Sequence, residues 1–265
     1  MKSPPRILSI AGSDSSGGAG IQADIKTIAM LGGYAMTAIT AATAQNTLGV
    51  QHVETFAESF VLAQVDSCLD DIGADAIKIG MLGSGRIAAA LARRLDSFTG
   101  AIVFDPVMVA TSGAVLADDE TVAAFAALME GATLVTPNLP ELAALTGMEV
   151  EGVDAMGEAA AALARRHDVA VLAKGGHGGG ARVTDMLVAP GGEALLFEDA
   201  RLPGDHTHGT GCTLSSAVAT LLGHGQPLPH AVRLARQFVR AAITNAPGFG
   251  NGNGPLGHQA VRNLS

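Results

Sequence analysis

Residues 6–31 read RILSIAGSDSSGGAGIQADIKTIAML. An apolar run, Arg6–Ala11, stops at a stretch of glycines and serines, and a segment with helical spacing, Ala19–Leu31, follows. Strand, glycine-rich turn, helix is the opening half of a βαβ unit. The same order recurs along the chain. Further strands are predicted at Ala35–Ala41, Ala76–Ile79, Ala101–Phe104, Thr133–Val135 and Val169–Ala173. Helices are predicted at Ser59–Asp71, Ser84–Asp96, Asp118–Met129, Pro140–Leu145 and Asp154–Arg166. Short strands that are apolar on both faces belong in a mostly parallel sheet covered by helices on each side, an α/β fold. After Lys174 the pattern changes: Thr184–Ala189 and Ala194–Glu198 flank Pro190-Gly191-Gly192-Glu193, an antiparallel hairpin at the sheet edge. Helices Thr210–Leu222 and Pro229–Asn245 close the chain. No linker and no internal repeat divides it, so residues 1–265 are expected to form one domain.

The 265 residues carry 16 Lys+Arg against 25 Asp+Glu, a formal net charge of −9, and 48% are hydrophobic. The apolar content excludes a disordered chain. The acidic balance argues against a nucleic-acid partner, and no Lys/Arg cluster offers a patch for an anionic membrane. A basic pocket for phosphate stays compatible, because net charge averages the whole surface. Cys68 and Cys212 make neither a disulfide framework nor a zinc site, which fits a reducing, cytoplasmic setting. Ile7–Ala11 is too short for the apolar core of a secretory leader. The uncharged run Thr27–Val53 contains Gly32-Gly33 and many polar groups, so it reads as a helix end, a buried strand and a polar loop rather than a membrane span.

Ligands in such sheets bind beyond the carboxyl ends of the strands, and the unusual residues cluster there. The loop Ala11–Gly20 is not a Walker A loop, since Gly18-Ala19 follows Gly17 where Lys and Ser/Thr are required. Nor is it a dinucleotide fingerprint, since the acid expected in the Ala38–Ala42 region is missing. What remains is a loop whose backbone approaches a ligand closely, with Asp24 one helical turn on, or a plain glycine-rich turn. A second loop, His208-Gly209-Thr210-Gly211-Cys212-Thr213, precedes an apolar helix. Two glycines let successive N–H groups converge on an anion, and the helix start adds unpaired donors and partial positive charge. Cys212 in that field is expected to have a lowered pKa and to serve as a base toward an alcohol; the alternative is a small residue packed under a helix start. Cys68 is expected in the core. Three more segments follow apolar strands: Asp105-Pro106-Val107-Met108, Thr136-Pro137-Asn138-Leu139-Pro140-Glu141 and Lys174-Gly175-Gly176-His177. Two carboxylates, an amide and an ammonium at one sheet edge suit Mg²⁺ and a polyphosphate. Glu141 after Pro140 also fits a helix-start charge, and Asp105 before Pro106 a turn residue.

Together these segments, with Ala44-Gln45-Asn46-Thr47 and Lys78-Ile79-Gly80-Met81-Leu82, resemble the hydroxymethylpyrimidine/phosphomethylpyrimidine kinases, over Ile7–Pro255. The resemblance implies a ribokinase-like three-layer sandwich. It implies an ATP- and Mg²⁺-dependent kinase of thiamine biosynthesis that phosphorylates 4-amino-5-hydroxymethyl-2-methylpyrimidine and then its monophosphate. On that basis Gln45 would hydrogen-bond the aminopyrimidine edge, with Gly12, Asp24, Met81 and Val107 completing the pocket. Cys212 would take the alcohol proton while Gly209, Thr210 and Gly211 hold the transferring phosphoryl group. Lys174 and Thr207 would contact ATP, and Asp105, Asn138 and Glu141 would organise Mg²⁺ or its waters. A homodimer is also implied. Ser15 stands where the family has Pro and is expected to matter little to the pocket, and His206 replaces a polar residue. Gly250–Pro255 is a variant of a Gly-rich stretch near the nucleotide. Val109–Ala114 reads as a flap hinged at Gly113 or as an ordinary loop. The arginines 233, 236 and 240 are expected to be solvated or at a dimer edge. The rival readings are a pyridoxal/pyridoxine kinase on the same fold and a non-catalytic pyrimidine-binding regulator.

Overall fold

The computed structural model describes residues 3–110, 113–204 and 206–261. The strands are β1 (Arg6–Asp14), β2 (Tyr34–Asn46), β3 (Gly49–Thr55), β4 (Ala76–Ile79), β5 (Ala101–Phe104), β6 (Leu134–Val135), β7 (Ala170–Ala173), β8 (Arg182–Val188) and β9 (Ala194–Ala200). The helices are α1 (Gly20–Met30), α2 (Glu58–Asp71), α3 (Gly85–Leu95), α4 (Asp119–Glu130), α5 (Leu139–Thr146), α6 (Gly152–His167), α7 (Thr210–Gly223) and α8 (Leu228–Thr244). Among the described residues nine strands form one sheet, in the order β3-β2-β1-β4-β5-β6-β7-β8-β9. It is parallel from β2 to β7 and antiparallel at both ends.

The all-buried tetrads of β4 (AIKI) and β7 (AVLA) show why alternation is absent from the sequence there: both faces of the sheet are covered. On one face Val61, Ile87, Phe125, Leu142 and Leu163 from α2–α6 pack against Leu8, Ile10, Ile77 and Phe104. On the other, Ile28, Val218 and Val232 from α1, α7 and α8 pack against Ile7, Val103 and Leu172. Helix α7 is buried continuously from Thr213 to Leu221, so it runs through the molecule with its first turn at the carboxyl edge of the sheet.

The polar loop expected after Ala41 is instead strand. β2 continues to Asn46 and turns into β3, which pairs back on it, giving a second edge hairpin. Of the residues that spoiled an apolar reading, Thr40 and Thr43 are buried in β2 with their hydroxyls donating to Met81 O at 2.7 Å and Ser13 O at 3.0 Å, and Gln45 is half-buried. Among the described residues, no helix is long and apolar enough to cross a membrane.

Candidate functional site

At the carboxyl edge of the parallel strands lies a cavity of about 800 Å³. It is lined by Gly12, Gln45, Met81, Val107, Asp105, Asn138, Glu141, Lys174, Thr207, Gly209, Thr210, Gly211 and Cys212. Every expected site residue but Asp24 therefore meets there, because each follows a parallel strand or opens α7.

One end is built by β1, β2 and the segment after β4. A register shift between Ala11 and Ser13 frees Gly12, and a side chain there would press on Met81 Sδ at 2.6 Å. Gly20 takes φ +54, and a Cβ there would overlap the carbonyl oxygen of Gly12. Gln45 lines this end, and its backbone is tied to the loop by Ser15: the hydroxyl donates to Gln45 O and accepts from Gln45 N–H, both at 2.9 Å. Ser15 thus bears on the pocket after all, by fixing the strand that carries Gln45.

Asp24 is not in the cavity. Its carboxylate is fully buried and accepts from Lys78 Nζ at 2.9–3.0 Å, from Ser9 Oγ at 2.5 Å and from Ser216 Oγ at 2.6 Å. A helix residue one turn in faces the sheet rather than the loop, and a buried carboxylate must be paired. The charge of Asp24 holds the Lys78 ammonium above its ordinary value in spite of burial.

The middle of the cavity carries the charge. Lys174, first after β7, donates to Asp105 Oδ1 at 2.8 Å, and the same oxygen accepts from Thr136 Oγ1 at 3.0 Å. Burial works against the Lys174 ammonium, but Asp105 and Glu141 outweigh it and raise its pKa. Burial, opposed by Lys174 and reinforced by Asp105, lifts the Glu141 carboxyl to about 7. Asn138 and Glu141 form a capping box: Asn138 Oδ1 accepts from Glu141 N–H at 2.9 Å and Glu141 Oε2 from Asn138 N–H at 2.8 Å. Both residues thus serve the start of α5 as well as the cavity, and the Asn138 amide oxygen is turned to the helix. Among the described residues no group of three His, Cys, Asp or Glu could cage a metal ion.

At the start of α7, Gly209 takes φ +86, and a Cβ there would overlap the carbonyl oxygen of Gly18. A Cβ on Gly211 would sit 3.2 Å from Lys174 Nζ. The glycines therefore let helix-start amides, Lys174 and the first loop converge on one point, as an anion requires. Cys212 stands beside it, but its thiol is not the lowered one expected. Burial pushes it up to about 11, Lys78 opposes, and Asp24 and Asp105 add to the rise.

Beyond lie residues the sequence did not single out. Asp185 on β8 accepts from Gly175 N–H at 2.9 Å and from Arg236 Nε at 2.7 Å, and Arg236 also pairs with Asp199 at 2.8 Å. Arg236 and Arg240 line the cavity and are not a solvated face. Their four-residue spacing on α8 was the only signal, and it does not reveal the acids on β8 and β9. Arg201 donates to the carbonyls of Gly176, Gly178 and Gly180, shaping the turn after Lys174. The tail lines no part of this cavity; Gly250 and Gly252 pack on Thr47 at the β2–β3 turn. Of the expected flap, Val109, Ala110 and Gly113 line the cavity, with Ala110 N–H bonded to Ala114 O at 2.8 Å; Thr111 and Ser112 lie outside the described residues, as does the His177 side chain.

A donor-lined cradle at a helix start, an ammonium, two carboxylates and a thiol around one cavity are groups of the kind that phosphoryl transfer uses. The family described as Phosphomethylpyrimidine kinase matches residues 14–257. The chain is 44% identical over 256 residues to the hydroxymethylpyrimidine/phosphomethylpyrimidine kinase of Streptomyces coelicolor, covering 96% of this chain and 94% of that one. It is 43% identical over 254 residues to the thiamine biosynthesis bifunctional protein ThiED of Geobacter sulfurreducens, where it covers 95% of this chain but spans only 52% of the relative's length. Among solved structures, the pyridoxal kinase from Staphylococcus aureus in complex with AMP-PCP and pyridoxal superposes with TM-score 0.89 at 31% identity, covering 98% of this chain and 95% of that one. The chain belongs to the phosphomethylpyrimidine kinase family, and its fold is the ribokinase-like α/β sandwich expected.

Proposed function

We propose that this protein transfers the γ-phosphoryl group of ATP to the hydroxymethyl group of 4-amino-5-hydroxymethyl-2-methylpyrimidine and then phosphorylates the monophosphate. The observation that carries the reading is the convergence of Gln45, Met81 and Gly12 on the same cavity as Lys174 and the Gly209–Gly211 amides. The Gln45 amide offers an acceptor to an exocyclic amine and donors to a ring nitrogen, while Val107 and Met81 provide apolar walls. Gly209, Thr210 and Gly211 bind the migrating phosphoryl group, whose charge spreads over its oxygens in a loose transition state, and Lys174 and Thr207 hold the nucleotide phosphates. Cys212, in its thiolate form, receives the alcohol proton and becomes the thiol.

Mg²⁺ fits the donor set. Two carboxylates, with no three-ligand cage among the described residues, suit an ion that keeps most of its water and binds phosphate. Burial, with Asp105 nearby, raises the Glu141 carboxyl although Lys174 opposes, so a cation beside it would favour the carboxylate. Asp105 and Glu141 would hold the ion or its waters, with Asn138 behind them, and the ion would neutralise phosphate charge. We extend the reading to a single-domain, cytoplasmic protein that forms a homodimer; light scattering on the purified protein tests the dimer.

A second reading, phosphorylation of pyridoxine or pyridoxal, is favoured by the likeness to a kinase bound to pyridoxal. Coupled ADP release with the pyrimidine, its monophosphate and pyridoxine side by side separates the two. The first reading expects the highest kcat/KM on the pyrimidines, and Gln45→Ala raising the pyrimidine KM about tenfold while sparing kcat, as loss of uniform binding does. Preference for pyridoxine, or no ADP release with any of the three, would overturn it.

A further inference from the structure

Asp14 and His208 are 194 residues apart in sequence and meet in the wall of the cavity, His208 Nε2 lying 2.9 Å from Asp14 Oδ2. Both are buried, Asp14 at 2% and His208 at 7% exposure. The carboxylate also accepts from the N–H groups of Ser16, Gly18 and Ala19 and from Ser16 Oγ, so it organises the whole turn between β1 and α1. Burial alone would raise the Asp14 carboxyl; this donor set and the His208 ring hold it well below the usual carboxylate range. A carboxylate held ionised accepts the ring proton, which fixes Nε2 as the donor.

On the other side His208 is bonded directly to Gly209, the glycine at φ +86 whose missing Cβ leaves room for the carbonyl oxygen of Gly18. Its own N–H donates to Gly254 O at 3.2 Å, and its ring Cδ2 fills the space where a Gly18 side chain would stand. Three segments interlock at this ring: the turn after β1, the loop before α7 and the C-terminal glycine stretch. The interactions that Gly209–Gly211 make with a phosphoryl group depend on amides held in place before it arrives. His208, next in the chain to Gly209, is tied to the turn after β1 by a buried charge-assisted hydrogen bond.

We propose that His208 is a positioning residue for phosphoryl transfer: its hydrogen bond to Asp14 locks the Gly209–Gly211 amides to the loop lining the acceptor end of the cavity. The proposal rests on the kinase reading above only in placing the phosphoryl group at those amides. The test compares His208→Ala, His208→Gln and Gly18→Ala. Gln can reach Asp14 with an N–H where the ring does, and a Gly18 methyl presses on the His208 ring and displaces it while leaving the side chains of both partners chemically intact. Steady-state kinetics use whichever acceptor the wild-type enzyme phosphorylates, and calorimetry measures AMP-PCP and acceptor binding separately. This keeps the result independent of which acceptor is the true substrate.

His208→Ala and Gly18→Ala are expected to lower kcat at least about tenfold and to weaken AMP-PCP, with acceptor affinity unchanged. His208→Gln is expected to recover kcat to within about threefold of wild type. Unchanged kcat in Gly18→Ala overturns the proposal even if His208→Ala fails to fold. So does a Gln variant as slow as the Ala variant, or a loss shared equally by acceptor affinity, which would mark the bond as merely structural.

Discussion

The thiol of Cys212 is pulled two ways. A helix start favours the thiolate by about 0.3–1 kcal/mol, less than one pKa unit, whereas burial raises a pKa by up to about 3–5 units. Burial wins, and the thiol stands at about 11. Its working form then becomes more populated with every unit of pH, so kcat is expected to climb between pH 7 and 9. Cys212→Ala should lose both that slope and about 10²-fold or more in kcat, with the acceptor KM little changed. A flat wild-type profile would remove the thiol from proton transfer. Asp24 teaches the opposite lesson about reading a motif. Its neighbours in sequence belong to the site, but its carboxylate neutralises Lys78 in the core. Removing it strands a buried ammonium, for which the usual loss is about 3–5 kcal/mol. Asp24→Ala is therefore expected to move the denaturant midpoint sharply downward while the folded enzyme keeps its acceptor KM; a raised KM at full stability would return Asp24 to the pocket. Neither outcome was legible from residue type, because both depend on which groups other elements bring alongside.

Helix α7 shows what the sequence does disclose at the level of an element. Two glycines flanking Thr210 ahead of an apolar run announce a bare helix start, and the structure puts that start between Lys174 and the turn after β1. Gly209→Ala would demand a left-handed conformation from an L residue, at about 1–2 kcal/mol, and a clash with the Gly18 carbonyl. The amides must then shift, and kcat is expected to fall about 10²–10³-fold, as when a preorganised donor is lost. Retained kcat in that variant would mean the amides do not face the reaction. The β2–β3 hairpin was hidden for the converse reason. Its turn, Asn46-Thr47-Leu48-Gly49, lies in a run of mixed polarity, and the strand beyond it is nearly all half-buried or exposed, so neither an apolar run nor a clean alternation marks it. Ser15 and Thr47 acquire meaning only once that hairpin exists, since one bonds the backbone of Gln45 and the other packs under the tail glycines.

Across the whole molecule, the parallel sheet gathers Gly12, Asp105, Asn138 and Lys174 at one edge because their loops leave parallel strands at the same end, and this much follows from strand order alone. What the order does not give is the charge balance inside the cavity, and that balance reaches into the stability of the fold. In the unfolded chain the Glu141 carboxyl titrates near 4.5, while in the folded protein it titrates at about 7. Between those values the native state holds a proton that the unfolded state has already lost. Stability from this group therefore falls as pH rises from about 4.5 to about 7 and levels off above. Glu141→Gln keeps an acceptor for the Asn138 N–H and has nothing to titrate, so its melting temperature relative to wild type is expected to be higher at pH 8 than at pH 5. A cation arriving with the nucleotide favours the carboxylate, so at pH 7 the wild-type protein should release protons when it binds Mg²⁺ and AMP-PCP, and the Gln variant should release fewer. Calorimetry in buffers of different ionisation enthalpy reads that difference directly. Equal proton release by the two proteins, with melting curves that run parallel in pH, would place the cation away from Glu141 and leave Asp105 as the carboxylate that meets it.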